Sequence, residues 1–458
     1  MNKKRFSTGK WAMLPVIFAL AWPTMLEQAM STAVQYVDAA MVGRLGAAAT
    51  AAVGVTTTVN WMIGSTVSAL GVGFLSFIAQ AYGAGDQQRA ARVSSQAVLA
   101  VLCSGVLFTV LPLALFRQVP VWMQADPSIR DAASWYFFIL YTPMLLRAAS
   151  IIFGTALRAA GDTKTPMRVG VLMNLINVAL NYLLIYPTHS ALGVTVPGAG
   201  LGVIGAAIAS AVSYAVGGIG ITIALWRHPV ISPRGQRLRP DWEILRPCLR
   251  VALPSTLQRF GTSFGYVAFA AMINALGTVP LAAHSIANTV ESAFYIPGYG
   301  MMTAAATLTG NALGARDKRR MGDVAQMLLI LEIGMMLLSG GLLFSFAPGM
   351  MGLFTADAAV IALGATVLRM VAVSEPFYGV AIILEGMLQG VGDTVTPFYF
   401  NILGMWGVRI LGTFLCTRVF GLGLTAAWGC MIAHNLLLFA LLAAHYARGK
   451  WNPLEARS

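Results

Sequence analysis

Polar side chains that could bind an ion lie inside segments that are otherwise apolar. Asp38 lies near the end of the first long apolar stretch, Leu14 to Gly46. A later stretch contains Asn174, Asn177 and Asn181, whose i, i+3, i+7 spacing puts them on one face of a helix. A carboxylate at membrane depth is costly unless it meets a partner or a wet cavity, and amides can accept a cation or share a proton network. These residues predict an ion site, and the structural alternatives are helix-joining amides and an aspartate at the headgroup level.

Further candidates could bind an organic cation. Glu291 lies in an apolar segment before Pro297, and Glu385 is a second, less certain acid of the same half. Aromatic faces attract cations, although aromatic residues also anchor helices at the membrane interface. The aromatic candidates are Tyr36, Trp61 and Tyr266.

The composition excludes a soluble globular protein. Hydrophobic residues make up 57% of the 458 residues, charged residues only 10%, and the mean hydropathy is +0.73. Apolar runs of membrane length recur throughout, so we expect an all-α polytopic membrane protein. The net charge of +13 is better explained by basic loops than by nucleic acid. The four cysteines have no paired spacing, and we expect no disulfide, metal, cofactor or enzymatic activity.

The apolar segments that carry these residues are predicted to be helices, in two groups of six. The linker between them, 227–250, is rich in arginine, so 1–226 and 251–458 are predicted to be two lobes. The apolar patterns predict helices near 12–43, 50–82, 91–116, 132–157, 166–187, 201–226, 247–274, 282–312, 321–346, 362–388, 397–418 and 423–446.

The two groups are an internal repeat. Pro23 and Pro254 are 231 residues apart, and at the same offset LRAAGDTKTP (157–166) corresponds to LQGVGDTVTP (388–397). After these motifs the first half is ten residues longer. Two halves with even helix counts are parallel repeats, which commonly rock around a central substrate cavity. The repeat therefore favours transport.

The basic residues predict the orientation. Most of the 30 lysines and arginines fall in the termini, the linker and alternate loops, which the positive-inside rule places in the cytoplasm. The other loops hold only Arg44, Arg117, Arg130 and Arg418. We expect both termini on the cytoplasmic side of the inner membrane, with the apolar N-terminal run retained rather than cleaved as a signal peptide.

Several motifs together resemble the multidrug and toxin extrusion (MATE) family. They are Pro23 with Glu27-Gln28, DAAMVGRLG (38–46), QAYGAGD (80–86), LRAAGDTKTP, the Asn-rich helix behind it and GVIGAAIAS, with GNALGARD and LQGVGDTVTP in the second half. The resemblance covers nearly the whole chain. It implies two six-helix lobes and antiport of drugs against H+ or Na+.

The resemblance also implies roles for individual residues. Asp38 would couple to the ion together with Asn177 and Asn181, and the family's hydroxyl falls on Ser210. A second-lobe acid used by some members would fall near Thr262, where this chain has none. The resemblance favours a monomeric exporter of small cationic amphiphiles in contact with membrane lipid. The alternative is a flippase of lipid-linked precursors with the same architecture.

Overall fold

The chain folds into long helices. The computed structural model describes residues 10–191 and 194–455. The helices are α1 (Leu14–Gly43), α2 (Ala47–Gly83), α3 (Gln87–Leu115), α4 (Gln118–Trp122), α5 (Arg130–Tyr141), α6 (Met144–Ala159), α7 (Lys164–Ile185), α8 (Gly202–Arg227), α9 (Trp242–Asn274), α10 (Thr278–Gly314), α11 (Lys318–Gly352), α12 (Ala358–Val391), α13 (Val395–Ile402), α14 (Leu411–Phe414) and α15 (Leu424–Ala447). The predicted all-α class is confirmed.

Besides the short 3-10 helix Lys10–Met13 that precedes α1, two local features depart from regular α-helix. Segments of π-helix, Leu403–Ile410 and Leu415–Val419, interrupt the stretch that begins with α13. Strands β1 (Pro187–Ala191) and β2 (Val194–Ala199) form an antiparallel hairpin between α7 and α8. This hairpin occupies the region where the first half of the chain carries its ten extra residues.

Many of the helices are long and apolar enough to cross a bilayer. Nine helices of the described ranges meet this requirement, or ten if α5 and α6, which meet at a bend of 51°, form one span. The chain is thus a multi-pass membrane protein, and the count of twelve spans stays a prediction.

The described residues group into two compact units. One comprises Leu26–Ile78 and Asp86–Leu249. The other comprises residues 10–25, 79–85 and 250–455. The proposed lobe boundaries at 226 and 251 stay a prediction.

Small residues bring the helices of the first unit together. A Cβ at Gly205 would lie 2.5 Å from the Leu184 carbonyl oxygen, so α8 can approach α7 this closely only with glycine here. Val42, Ile185 and Ala206 form a buried apolar cluster from α1, α7 and α8. The cluster fixes the three helices that carry Asp38, the asparagines and Ser210.

Candidate functional site

Helices α1 and α7 run side by side in the same direction. Asp38 contacts Asn181, and Glu27 approaches Gly170, at which a Cβ would lie 3.3 Å from its Cγ. Each of the two pairs is 143 positions apart in sequence. The two acids are eleven residues apart, close to three helical turns, so both lie on the same face of α1.

Asp38 lies in a network of amides. Asn181 donates from Nδ2 to Asp38 Oδ1 at 2.5 Å and to Asn177 Oδ1 at 3.1 Å, and Asn177 Nδ2 lies 3.3 Å from Ser210 Oγ. The two asparagines are buried, and Asp38 is half-buried. Four of the five predicted ion-site residues are therefore joined by hydrogen bonds.

The orientation of the Asn177 amide is assigned from its hydrogen bonds, and each of the two assignments matches one protonation state of Asp38. With the amide turned by 180°, its nitrogen donates to Asp38 Oδ1 at 2.8 Å and to Oδ2 at 3.1 Å, while its oxygen accepts from Ser210 Oγ at 3.3 Å. In the first orientation an amide oxygen faces the Asp38 carboxyl, and two oxygens this close need a proton between them. The network can therefore accommodate either an ionised or a protonated Asp38.

Asn174 does not join this network. It is buried, and its Nδ2 has no hydrogen-bond partner within the described ranges. The Oδ1 of Asn181 is likewise buried without a partner there. The shared face of α7 was correctly predicted, but the Asp38 network engages only the two residues nearer the helix end.

The other predicted residues lie at separate positions in the two units. In the first unit, Tyr36 and Trp61 are 46% and 52% exposed, as a ligand-stacking role requires. In the second unit, Glu291 is buried, and Tyr266 is 43% exposed with the Arg409 guanidinium 4.8 Å from its ring centroid. One face of Tyr266 is thus already occupied by a cation.

Glu385 is surrounded by amide donors. Gln258 Nε2 donates to its Oε1 at 2.8 Å, and Asn401 Nδ2 donates to its Oε2 at 3.3 Å. These amides compensate for the loss of water around a carboxylate. Both oxygens of Glu385 therefore have hydrogen-bond donors within the protein.

The sequence did not predict one ion pair of the first unit or the lack of partners for two buried acids of the second unit. Arg158, assigned to a loop, bonds both oxygens of Glu27 through Nη2, at 2.6 and 2.7 Å. In the second unit, Glu332 and Glu375 are almost fully buried, and their carboxylate oxygens have no hydrogen-bond partner among the described residues. Their position in apolar helices was visible in the sequence, but the lack of partners could be seen only in the structure.

The fold and the acid–amide network define a multi-pass helical membrane protein with an ion-site candidate in its first half. The family model described as MatE matches residues 23–183 and again residues 254–415, so the match repeats at the offset of the internal repeat. The chain belongs to the MATE family of membrane transporters.

Known relatives match over almost the whole chain. A "Probable multidrug resistance protein NorM" of Thermotoga maritima is 27% identical over 95% of this chain and 92% of its own length. A "Probable multidrug resistance protein YoeA" of Bacillus subtilis is 24% identical over 93% and 91%. Among solved structures, an outward-facing multidrug resistance MATE family transporter is 24% identical, with a TM-score of 0.89 and coverage of 100% and 99%. That structural likeness supports the fold.

Proposed function

We propose that this transporter exports small cationic amphiphiles in exchange for H+ that binds at Asp38. The observation that carries the proposal is the Asp38 carboxyl, which accepts a hydrogen bond from Asn181 and lies beside the Asn177 amide. The names of the relatives, which are those of multidrug resistance proteins, support export of drugs or toxins. They give no support to the flippase alternative.

The amide lets Asp38 change its protonation state without losing its partners. An ionised Asp38 accepts from the Asn177 nitrogen, and a protonated Asp38 donates its O–H to the Asn177 oxygen. Ser210 can follow, because a hydroxyl both donates and accepts. Protonation removes the negative charge that attracts a cationic drug, so proton uptake favours release.

The ligand set favours H+ over Na+. The network has a single carboxylate, two amides and one hydroxyl, and the Asn181 nitrogen already occupies one carboxylate oxygen. Hard cations such as Na+ prefer several oxygen ligands with compensating charge. A proton needs only the carboxylate and one acceptor. Na+ is the alternative that the transport assay below distinguishes.

The remaining candidates would bind the organic cation. Glu291 offers a buried carboxylate, and the exposed rings of Tyr36 and Trp61 offer faces for stacking. Tyr266 and Glu385 are weaker candidates, because Arg409 and the amides described above already engage them.

The topology completes the proposal. The distribution of basic residues supports an inner-membrane location with both termini in the cytoplasm, and the transporter would act as a monomer. A reporter that is active only in the periplasm should stay inactive when fused after Ser458. Periplasmic activity would contradict this orientation.

The central test is drug uptake into everted vesicles in Na+-free buffer with an imposed pH gradient. Wild-type protein should accumulate ethidium, whereas Asp38→Asn, which mimics the protonated state, should bind it weakly and not transport it. Asp126→Asn, in an exposed loop, removes a carboxylate that accepts from Ser128 and not from an amide side chain of the described residues, and it should transport normally. Normal transport by Asp38→Asn would refute the coupling role, and a requirement for Na+ at every pH would refute only the choice of ion.

A further inference from the structure

The end of α8 and the segment that follows it line a small cavity that is open to the surface. Its volume is about 340 Å³, and its lining is amphipathic. Thr222, Ile223 and Trp226 contribute from the helix, and Arg227 and Arg234 contribute two guanidinium groups. Because two positively charged guanidinium groups lie at one cavity, the cavity favours an anionic ligand.

Hydrogen bonds fix the fold of the segment that brings Arg234 to this cavity. His228 Nδ1 accepts the backbone N–H groups of Val230 and Ile231, each at 3.2 Å. Ser232 Oγ donates to the Trp226 carbonyl at 2.8 Å and accepts the N–H of Arg234 at 3.3 Å. Burial lowers the pKa of His228, so near pH 7 its ring is neutral and can accept these bonds. These hydrogen bonds therefore hold the backbone of Arg234 beside the end of α8.

The two arginines of the cavity lack an acidic partner among the described residues. Arg92, elsewhere in the same unit, forms an ion pair with Asp241 at 2.5 Å, which neutralises it. Arg227 and Arg234 form no ion pair with any residue in the ranges 10–191 and 194–455. Both are exposed, so their charges are available to a ligand.

The cavity lies where a lipid headgroup would lie. Helix α8 is an apolar span that ends at Arg227, and tryptophan and arginine at the end of a span mark the membrane interface. Towards the middle of the helix, Ile219 and Ile223 are 50% and 46% exposed. An apolar strip thus leads from the hydrocarbon region to the two guanidinium groups.

We propose that this cavity binds the phosphate headgroup of an anionic phospholipid. Arg227 and Arg234 would hold the phosphate through charge-assisted hydrogen bonds, and an acyl chain would lie along Ile219 and Ile223. Basic pockets at the ends of membrane helices are suited to such headgroups. This site is separate from Asp38, and its occupancy does not depend on the proposed antiport.

Native mass spectrometry of the full-length protein tests the site. The protein is released from nanodiscs of phosphatidylcholine with increasing phosphatidylglycerol, and retained lipid is counted. Wild-type protein should retain phosphatidylglycerol selectively. Removing each arginine, by Arg227→Gln or Arg234→Gln, should weaken retention about tenfold, because a hydrogen bond to a charged group contributes at least the free energy of a tenfold change.

Two further arms separate the alternatives. Arg237→Gln removes an exposed arginine of the same linker that does not line the cavity, and it should retain the lipid as wild type does. Inorganic phosphate added without phosphatidylglycerol should not raise the thermal stability, because the apolar strip would remain uncovered. Three results would each overturn the proposal. They are selective retention of phosphatidylglycerol by the Arg227→Gln/Arg234→Gln double variant, a loss of retention in Arg237→Gln as large as in the cavity variants, and a rise in thermal stability with inorganic phosphate alone.

Discussion

The ion pair between Glu27 and Arg158 should couple α1 to the end of α6. Arg158 Nη2 contacts both carboxylate oxygens of Glu27, at 2.6 and 2.7 Å, and the side chains of Arg158 and Glu27 are only 16% and 19% exposed. Breaking a fully buried pair costs about 3–5 kcal/mol, whereas an exposed pair contributes about 0–1 kcal/mol. For this partly buried pair we expect Glu27→Gln or Arg158→Gln each to lower the free energy of unfolding by about 2 kcal/mol.

A double-mutant cycle measures whether the two charges act on one another. Free energies of unfolding are obtained by titrating the purified protein with sodium dodecyl sulfate. The double variant should lose about 1–2 kcal/mol less than the sum of the single variants, since the second change removes a charge that is already unpaired. Arg44→Gln, which removes an exposed charge that forms no ion pair among the described residues, is the matched control and should be nearly neutral. Additive single effects would refute the coupling.

Three further outcomes follow from the described contacts. Replacing Asn177 and Asn181 together by leucine should leave the protein inserted but abolish efflux, because Asp38 loses its donors. Gly379→Ala should lower the free energy of unfolding by about 1–3 kcal/mol, because the new methyl would lie 2.8 Å from a Glu332 oxygen. The pKa of His228 is lowered by burial, so below about pH 6.5 the unfolded segment binds protons more readily than the folded one. Hydrogen exchange of the two amides bonded to its ring, corrected for the intrinsic rate, should therefore show less protection as the pH falls.

The first two of these outcomes have a matched control variant, and the third has a result that would contradict it. Asn174→Leu changes an amide outside the Asp38 network and should keep efflux, and normal efflux from the double leucine variant would relegate those asparagines to helix packing. Gly341→Ala adds a methyl where nothing lies within 4 Å and should be nearly neutral, so an equal loss there would contradict the packing explanation. Protection that is independent of pH would show that the His228 ring does not hold its segment.

The class of protein and the internal repeat could be predicted from the sequence alone. Apolar runs of membrane length and a 3.6-residue period are local properties, so the helices and the amide face of α7 could be predicted from short windows. The matching motifs of the two halves also identified the family. The β-hairpin after α7 was not predicted, because its residues carry no strong strand pattern, although the ten-residue excess marked its place.

Which polar residues contact one another depends on the packing of helices that are distant in sequence. Asp38 and Asn181 are 143 residues apart, and Glu27 and Arg158 are 131 apart, so no local pattern could pair them. Burial without a partner, as for Glu332, likewise depends on every helix around a side chain. Periodicity shows which face of a helix is polar, whereas the packing of the other helices determines what that face contacts.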